Sequence, residues 1–181
     1  MIAPMMQDLT ALLAQATAAH EAGQWQQAER EYRSILAIEP GHADALHQLG
    51  ILAYQAGRYD AAIDLVSRAL SLSPRQATYC NTLGGGLLAA GRVKEAVASF
   101  ARAVALAPAS IEMKNNLANA LHADGALTEA LALYRDLAAQ APSDPDVNNN
   151  FGRALHAAGR LDEALHYFRA ALSARPDDAL I

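Results

Sequence analysis

Only one cysteine, Cys80, occurs in 181 residues, so no disulfide can form within the chain and a thiolate zinc site is not expected. Aromatic residues are scarce at 6 % although apolar residues reach 52 %, which leaves alanine and leucine to carry the hydrophobic load. With few glycines and prolines, that is a helical composition. A basic cluster is also missing. The 14 lysines and arginines are scattered among 19 acidic residues, for a net charge of −5. Nucleic acid binding, which needs a concentrated positive surface, is therefore not expected. The start, MIAPMMQD, lacks a basic segment, and the apolar stretch after it is broken by Gln15 and His20. The reading is neither signal peptide nor membrane span, and a cytoplasmic protein.

What the chain does have is a period. Pro40, Pro74, Pro108, Pro142 and Pro176 stand 34 residues apart, as do Gly23, Gly57, Gly91, Gly125 and Gly159, and Ala28, Ala62, Ala96, Ala130 and Ala164. Three residue types on one spacing define five units, 9–42, 43–76, 77–110, 111–144 and 145–178. Residues 1–8 form a lead-in, and 179–181 read as the start of a truncated or absent sixth unit.

Each unit is predicted to hold two helices. The first begins after a capping residue, as at Asp8, Ser110, Asp144 and Asp178. It ends at the glycine, the residue best suited to a left-handed cap. The second runs amphipathically, as from Leu127 to Ala139, and stops before the proline, whose missing N–H ends a helix. The recurrent alanine is expected to face Gly50, Gly84, Ala118 and Gly152 of the first helices, where small residues allow close backbone approach. A single hairpin cannot bury its apolar face alone, so units stack.

The runs Leu49-Gly50, Tyr54, Ala62, Ala69, Pro74 and Leu83-Gly84, Ala96, Phe100, Ala103, Pro108 resemble the tetratricopeptide-repeat (TPR) pattern over 9–178. The resemblance implies an all-α fold, a right-handed TPR superhelix (α-solenoid) of five helix-turn-helix repeats. It further implies a protein–protein interaction scaffold that binds a protein or peptide on its concave face. Unit one departs most from the pattern: Gln15 and Ala16 replace the Leu-Gly pair, a change expected of a terminal unit with less to pack against.

In such a superhelix the first helices line the concave surface. Helical projection puts Glu112, Asn115, Asn116, Asn119 and His122 on one stripe of unit four, and Asp146, Asn149, Asn150, Arg153 and His156 on that of unit five. Unit three contributes Thr78, Asn81, Thr82 and Gly85, and unit two Asp44, His47, Gln48, Ile51 and Tyr54. Asparagine is a mediocre helix former, yet six stand on these stripes. Carboxamides both donate and accept, so they can grip a peptide backbone whatever its side chains. The expected binding residues are Asn81, Asn115, Asn116, Asn119, His122, Asn149, Asn150 and Arg153. The segments Asn115–Leu121 and Asn149–Leu155 look like the repeats ahead of the catalytic region in O-linked N-acetylglucosamine transferases and their bacterial relatives, whose inner-face asparagines hold the acceptor polypeptide. By position Asn116 and Asn150 match best and Asn119 next, while Thr82 and Gln48 depart. A carboxylate clamp of the chaperone-adaptor kind is not expected, because the corresponding places carry Leu13, His47, Asn81, Asp44, Thr78 and Thr82 and no lysine.

Other signals have structural readings. Gly84-Gly85-Gly86 lies inside a predicted helix with no Lys-Ser/Thr after it, so it is not a phosphate loop; the expectation is a soft joint in unit three. His20, His122 and His156 share one place in successive layers without converging, so no metal is expected. No nucleophile–base pair emerges, so no catalytic residue and no cofactor are expected. A further expectation is a homo-oligomer formed through the uncapped C-terminal repeat, including Leu161, Leu165 and Phe168.

Overall fold

The computed structural model describes residues 8–175. Pro176, Asp178 and the stretches 1–7 and 179–181 lie outside them. The described residues form ten helices: α1 (Leu9–Glu21), α2 (Trp25–Ile38), α3 (Ala43–Gln55), α4 (Tyr59–Leu72), α5 (Ala77–Ala89), α6 (Val93–Leu106), α7 (Ile111–Ala123), α8 (Leu127–Gln140), α9 (Pro145–Ala157) and α10 (Leu161–Ala174). The fold is an all-α helical repeat of the solenoid class. The chain divides into two compact units, 1–90 and 91–181. In the first, each helix from α1 to α5 packs on the next and α3 also touches α5; in the second, α6 to α10 follow one another and α7 also touches α9.

Repeat chemistry explains the helix ends. Gly23, Gly57, Gly91, Gly125 and Gly159 all have φ between +71° and +82°, a conformation that penalises any Cβ. At Gly23 the cap is a full Schellman motif: its N–H donates to His20 C=O (2.9 Å) and that of Gln24 to Ala19 C=O (2.9 Å). Second helices stop at Glu39, Ser73, Ala107 and Ala141, each held extended with φ from −129° to −135°. Each precedes a proline, whose ring excludes the helical conformation from the residue before it. Asp8, Ser110 and Asp144 cap first helices through their side chains. His42 does the same for α3, its Nδ1 accepting from Ala45 N–H at 3.3 Å.

The recurrent alanines 28, 62, 96, 130 and 164 are at most 2 % exposed. A Cβ on Gly50 would stand 3.4 Å from the Ala62 carbonyl oxygen and 2.6 Å from Val66 Cγ2; one on Gly152 would stand 2.7 Å from Phe168 Cε1. Close approach of the two helices therefore requires glycine there. The sequence expectation for unit one holds at Gln15, which is exposed where the equivalent Leu49 is buried, and is corrected at Ala16: it is fully buried, so its replacement of glycine does not reflect sparse packing. The opposing residues supply another account. The units with alanine at this place carry Tyr32 and Tyr134 on the second helix, while those with Gly50 and Gly152 carry Val66 and Phe168. Both tyrosine hydroxyls are tied to the residue after the alanine: Tyr32 donates to Thr17 Oγ1 (3.4 Å) and Tyr134 to Asn119 Oδ1 (2.6 Å).

Candidate peptide-binding face of the first helices

Side chains on successive first helices meet at a constant offset of 35 residues, one repeat plus one position. In the first unit Tyr79 donates to the Asp44 carboxylate, His47 lies 2.9 Å from Thr82 through Nε2, and His20 Nε2 donates to Gln55 Oε1 at 2.9 Å. In the second unit Asn150 Nδ2 donates to Asn115 Oδ1 at 3.3 Å. The residues expected to face a ligand thus partly hold neighbouring helices together.

The His47 cluster is the most constrained. Thr82 Oγ1 donates its only proton to Thr78 C=O at 3.0 Å, so it accepts from His47, which fixes the proton on Nε2. The imidazole stacks on Tyr79 with centroids 4.3 Å apart and is 8 % exposed. Burial pulls its pKa down to about 4 against the opposing pull of Asp44. Burial, and then the bond to Asp44 and that carboxylate's charge, push the Tyr79 hydroxyl well above its ordinary range. No sequence pattern within one unit indicates this cluster; its only trace is the 35-residue offset between complementary partners.

The asparagine stripe divides by role. Asn115 is buried at 8 % exposure, turned toward Asn150 between α7 and α9. Asn119 accepts from the fully buried Tyr134 hydroxyl. That bond accounts for an asparagine here, and in unit five, where the tyrosine's place is taken by Phe168, Arg153 replaces it. Asn116, Asn149, Asn150 and His122 are half-buried, and Arg153 and His156 are exposed. On α9, Asn149, Arg153 and His156 follow helical spacing on one side. Arg153 also reaches back toward α7: burial lowers the His122 pKa, and the Arg153 charge lowers it further. Asp146 is engaged by Arg175 through paired contacts of 2.8 and 3.0 Å. Asn81 and Thr82 are half-buried on α5 of the 1–90 unit.

Gly84, Gly85 and Gly86 lie within the continuous helix α5, and Cys80 is fully buried. Among the described residues no cluster of histidine, cysteine or acidic side chains could hold a metal ion, and no helix is long and apolar enough to cross a membrane.

Stacked helix pairs with left-handed glycine caps and proline stops define a helical-repeat protein, and family comparison agrees. Tetratricopeptide-repeat models match residues 19–81 and 121–181, and a second such model matches 82–145. The chain belongs to the tetratricopeptide-repeat family. Comparison with curated proteins finds no match. Among solved structures, MamA from Desulfovibrio magneticus RS-1 superposes with a TM-score of 0.83 at 21 % identity, over 96 % of this chain and 99 % of that one. YrrB, described as a TPR protein with an unusual peptide-binding site, gives 0.77 at 23 % identity over 96 % and 89 %. At those identities the likeness shows the fold alone. The Thermobaculum terrenum O-GlcNAc transferase gives 0.71 at 32 % identity, over 77 % of this chain but 27 % of that protein.

Proposed function

We propose that the chain is a non-catalytic interaction scaffold whose first-helix face, centred on α7 and α9, takes an extended peptide or protein segment. One observation carries this reading. The bond from Asn150 to Asn115 orients two carboxamides while leaving Asn150 its oxygen and a second N–H, with Asn149 and Arg153 beside it. A row of fixed donors and acceptors matches the repeating N–H and C=O of an extended backbone, at about 0.5–1.5 kcal/mol net per bond. The peptide-binding site in the description of YrrB is consistent with it. The test is selection of unstructured peptides from a random library, followed by affinity measurement on the variant Asn149→Ala with Asn150→Ala. The reading expects at least a tenfold loss of affinity, about 1.4 kcal/mol, with the helical signal unchanged. Peptides that bind the variant as tightly as the parent would remove the carboxamides from the account.

A second reading makes the chain the substrate-recruiting arm of a glycosyltransferase-like enzyme. The 32 % identity to the O-GlcNAc transferase favours it, and an in-frame catalytic domain in the gene would establish it. Self-assembly forms a third element of the proposal. Leu161, Leu165 and Leu172 of α10 are 60 %, 46 % and 45 % exposed, whereas Phe168, expected on that face, packs inward against Gly152 and the core around α9. Leu165 and Leu172 occupy the places of Leu131 and Ala138, which in α8 belong to the core shared with α9. A second copy can bury that surface.

A further inference from the structure

We infer that the first-helix face of the 1–90 unit carries a separate subsite for a basic side chain, arginine or lysine, built on Trp25 and Glu21. Trp25 is the only tryptophan in the chain. It opens α2 with 54 % of its surface exposed, which leaves more than half of a large apolar residue in water. It borders an open cleft of about 370 Å³ that is lined also by Thr17, His20, Glu21, Gln48, Ile51 and Gln55. These residues belong to α1, α3 and the first turn of α2, so the cavity lies wholly within one compact unit.

The walls select the ligand. The indole face attracts a cation through its quadrupole, and Ile51 offers apolar surface to the methylene stem of a long side chain. The Gln48 carboxamide adds an oxygen acceptor. His20 donates to Gln55 Oε1 and stands edge-on to Tyr32 at 6.4 Å, which fixes that side of the cleft. Glu21 provides the charge. It is the last residue of α1, the end where the helix dipole already places negative potential. Among the described residues it has no basic partner. A carboxylate at the wrong helix end, beside an exposed indole and unpaired, is an unfavourable arrangement that an incoming cation corrects at both points. Arg30, the nearest basic residue along α2 from Trp25, borders a neighbouring concavity and does not line this one. An acidic side chain would meet repulsion from Glu21, and an apolar one would leave that carboxylate desolvated without a partner.

The subsite rests on the scaffold reading only in supposing that the basic group arrives on a peptide; the asparagines of α7 and α9 play no part in it. The test therefore keeps the two apart. Emission from the single tryptophan is followed while the full chain is titrated at low salt with the capped peptide acetyl-Gly-Gly-Arg-Gly-Gly-amide. Its counterparts carry lysine, citrulline or glutamate in the central place. Saturable changes with the arginine or lysine peptide, and none with citrulline or glutamate, are expected. Glu21→Gln should weaken the response by up to about fivefold, the most that an exposed ion pair supplies. That variant keeps the reporter and removes an unfavourable charge, so its fold should be intact by circular dichroism. Asn149→Ala with Asn150→Ala should leave the titration unchanged whether or not the scaffold reading stands. Equal response to the citrulline peptide, an unchanged affinity in Glu21→Gln, or no response to either basic peptide would overturn the proposal.

Discussion

Alanine substituted at two helical glycines should move stability in opposite directions. Gly50 in α3 and Gly85 in α5 both sit inside helices, where glycine costs about 1 kcal/mol relative to alanine. At Gly85 nothing lies within 4 Å of the place a Cβ would take. The helical gain then stands unopposed, and Gly85→Ala should stabilise by about 0.5–1 kcal/mol. At Gly50 the new methyl would lie 2.6 Å from Val66 Cγ2 and 3.5 Å from Leu65 Cβ. Val66 is 1 % exposed, and a helical valine has essentially one χ1 rotamer, so the valine cannot swing aside and α4 must retreat. Overpacking of this kind costs about 1–3 kcal/mol; set against the helical gain of about 1 kcal/mol, its mid-range value leaves a net loss of about 1 kcal/mol, and its upper value about 2 kcal/mol. Urea unfolding followed by far-ultraviolet circular dichroism measures both changes. The cause is checked by repeating Gly50→Ala in a Val66→Ala background, where the methyl has room and the penalty should largely vanish. Gly50→Ala as stable as the parent, or an identical penalty in both backgrounds, would refute the packing argument.

Three further outcomes are expected. Asn119→Ala leaves the buried Tyr134 hydroxyl unpaired and should destabilise by about 1–3 kcal/mol, whereas Asn149→Ala should stay within about 0.5 kcal/mol; urea midpoints separate a structural carboxamide from one proposed to face a ligand. The folded-state pKa of His47 is lowered to about 4, so between roughly pH 6.5 and pH 4 the unfolded chain binds more protons. Stability from this group should accordingly be present above pH 6.5 and fall as pH drops through that window, and the slope should flatten in His47→Gln. Leu165→Glu with Leu172→Glu on α10 should lower the mass seen by light scattering at high protein concentration, and an unchanged monomer in both proteins would end the self-assembly reading.

The periodic residues carried most of the fold. Helix ends could be placed from glycines and prolines because their chemistry is local: a positive φ and a missing N–H act on the residue itself and its neighbour, whatever surrounds them. The small residues at 50 and 152 were legible for a similar reason, since glycine or alanine recurs at that place in every unit. The proposed binding face was legible only as a stripe. Helical spacing places Asn115, Asn116 and Asn119 together, but it cannot say that Asn119 is engaged by a tyrosine fifteen residues on, or that Asn115 is turned against the next repeat. Those roles depend on which side chain of a neighbouring helix arrives within hydrogen-bonding distance, and so on the stagger of one repeat against the next.

Sequence by itself determined the repeat length, the helix pairs and the residues that can approach closely, because each follows from conformational limits repeated in every unit. Tertiary structure decided which polar residues link helices and which remain available. The same stacking set Trp25 beside Glu21 and Ile51 around one cavity. Side chains a full repeat apart meet only when the units stack, and their pairing obeys the geometry of that stacking, not the spacing along the chain.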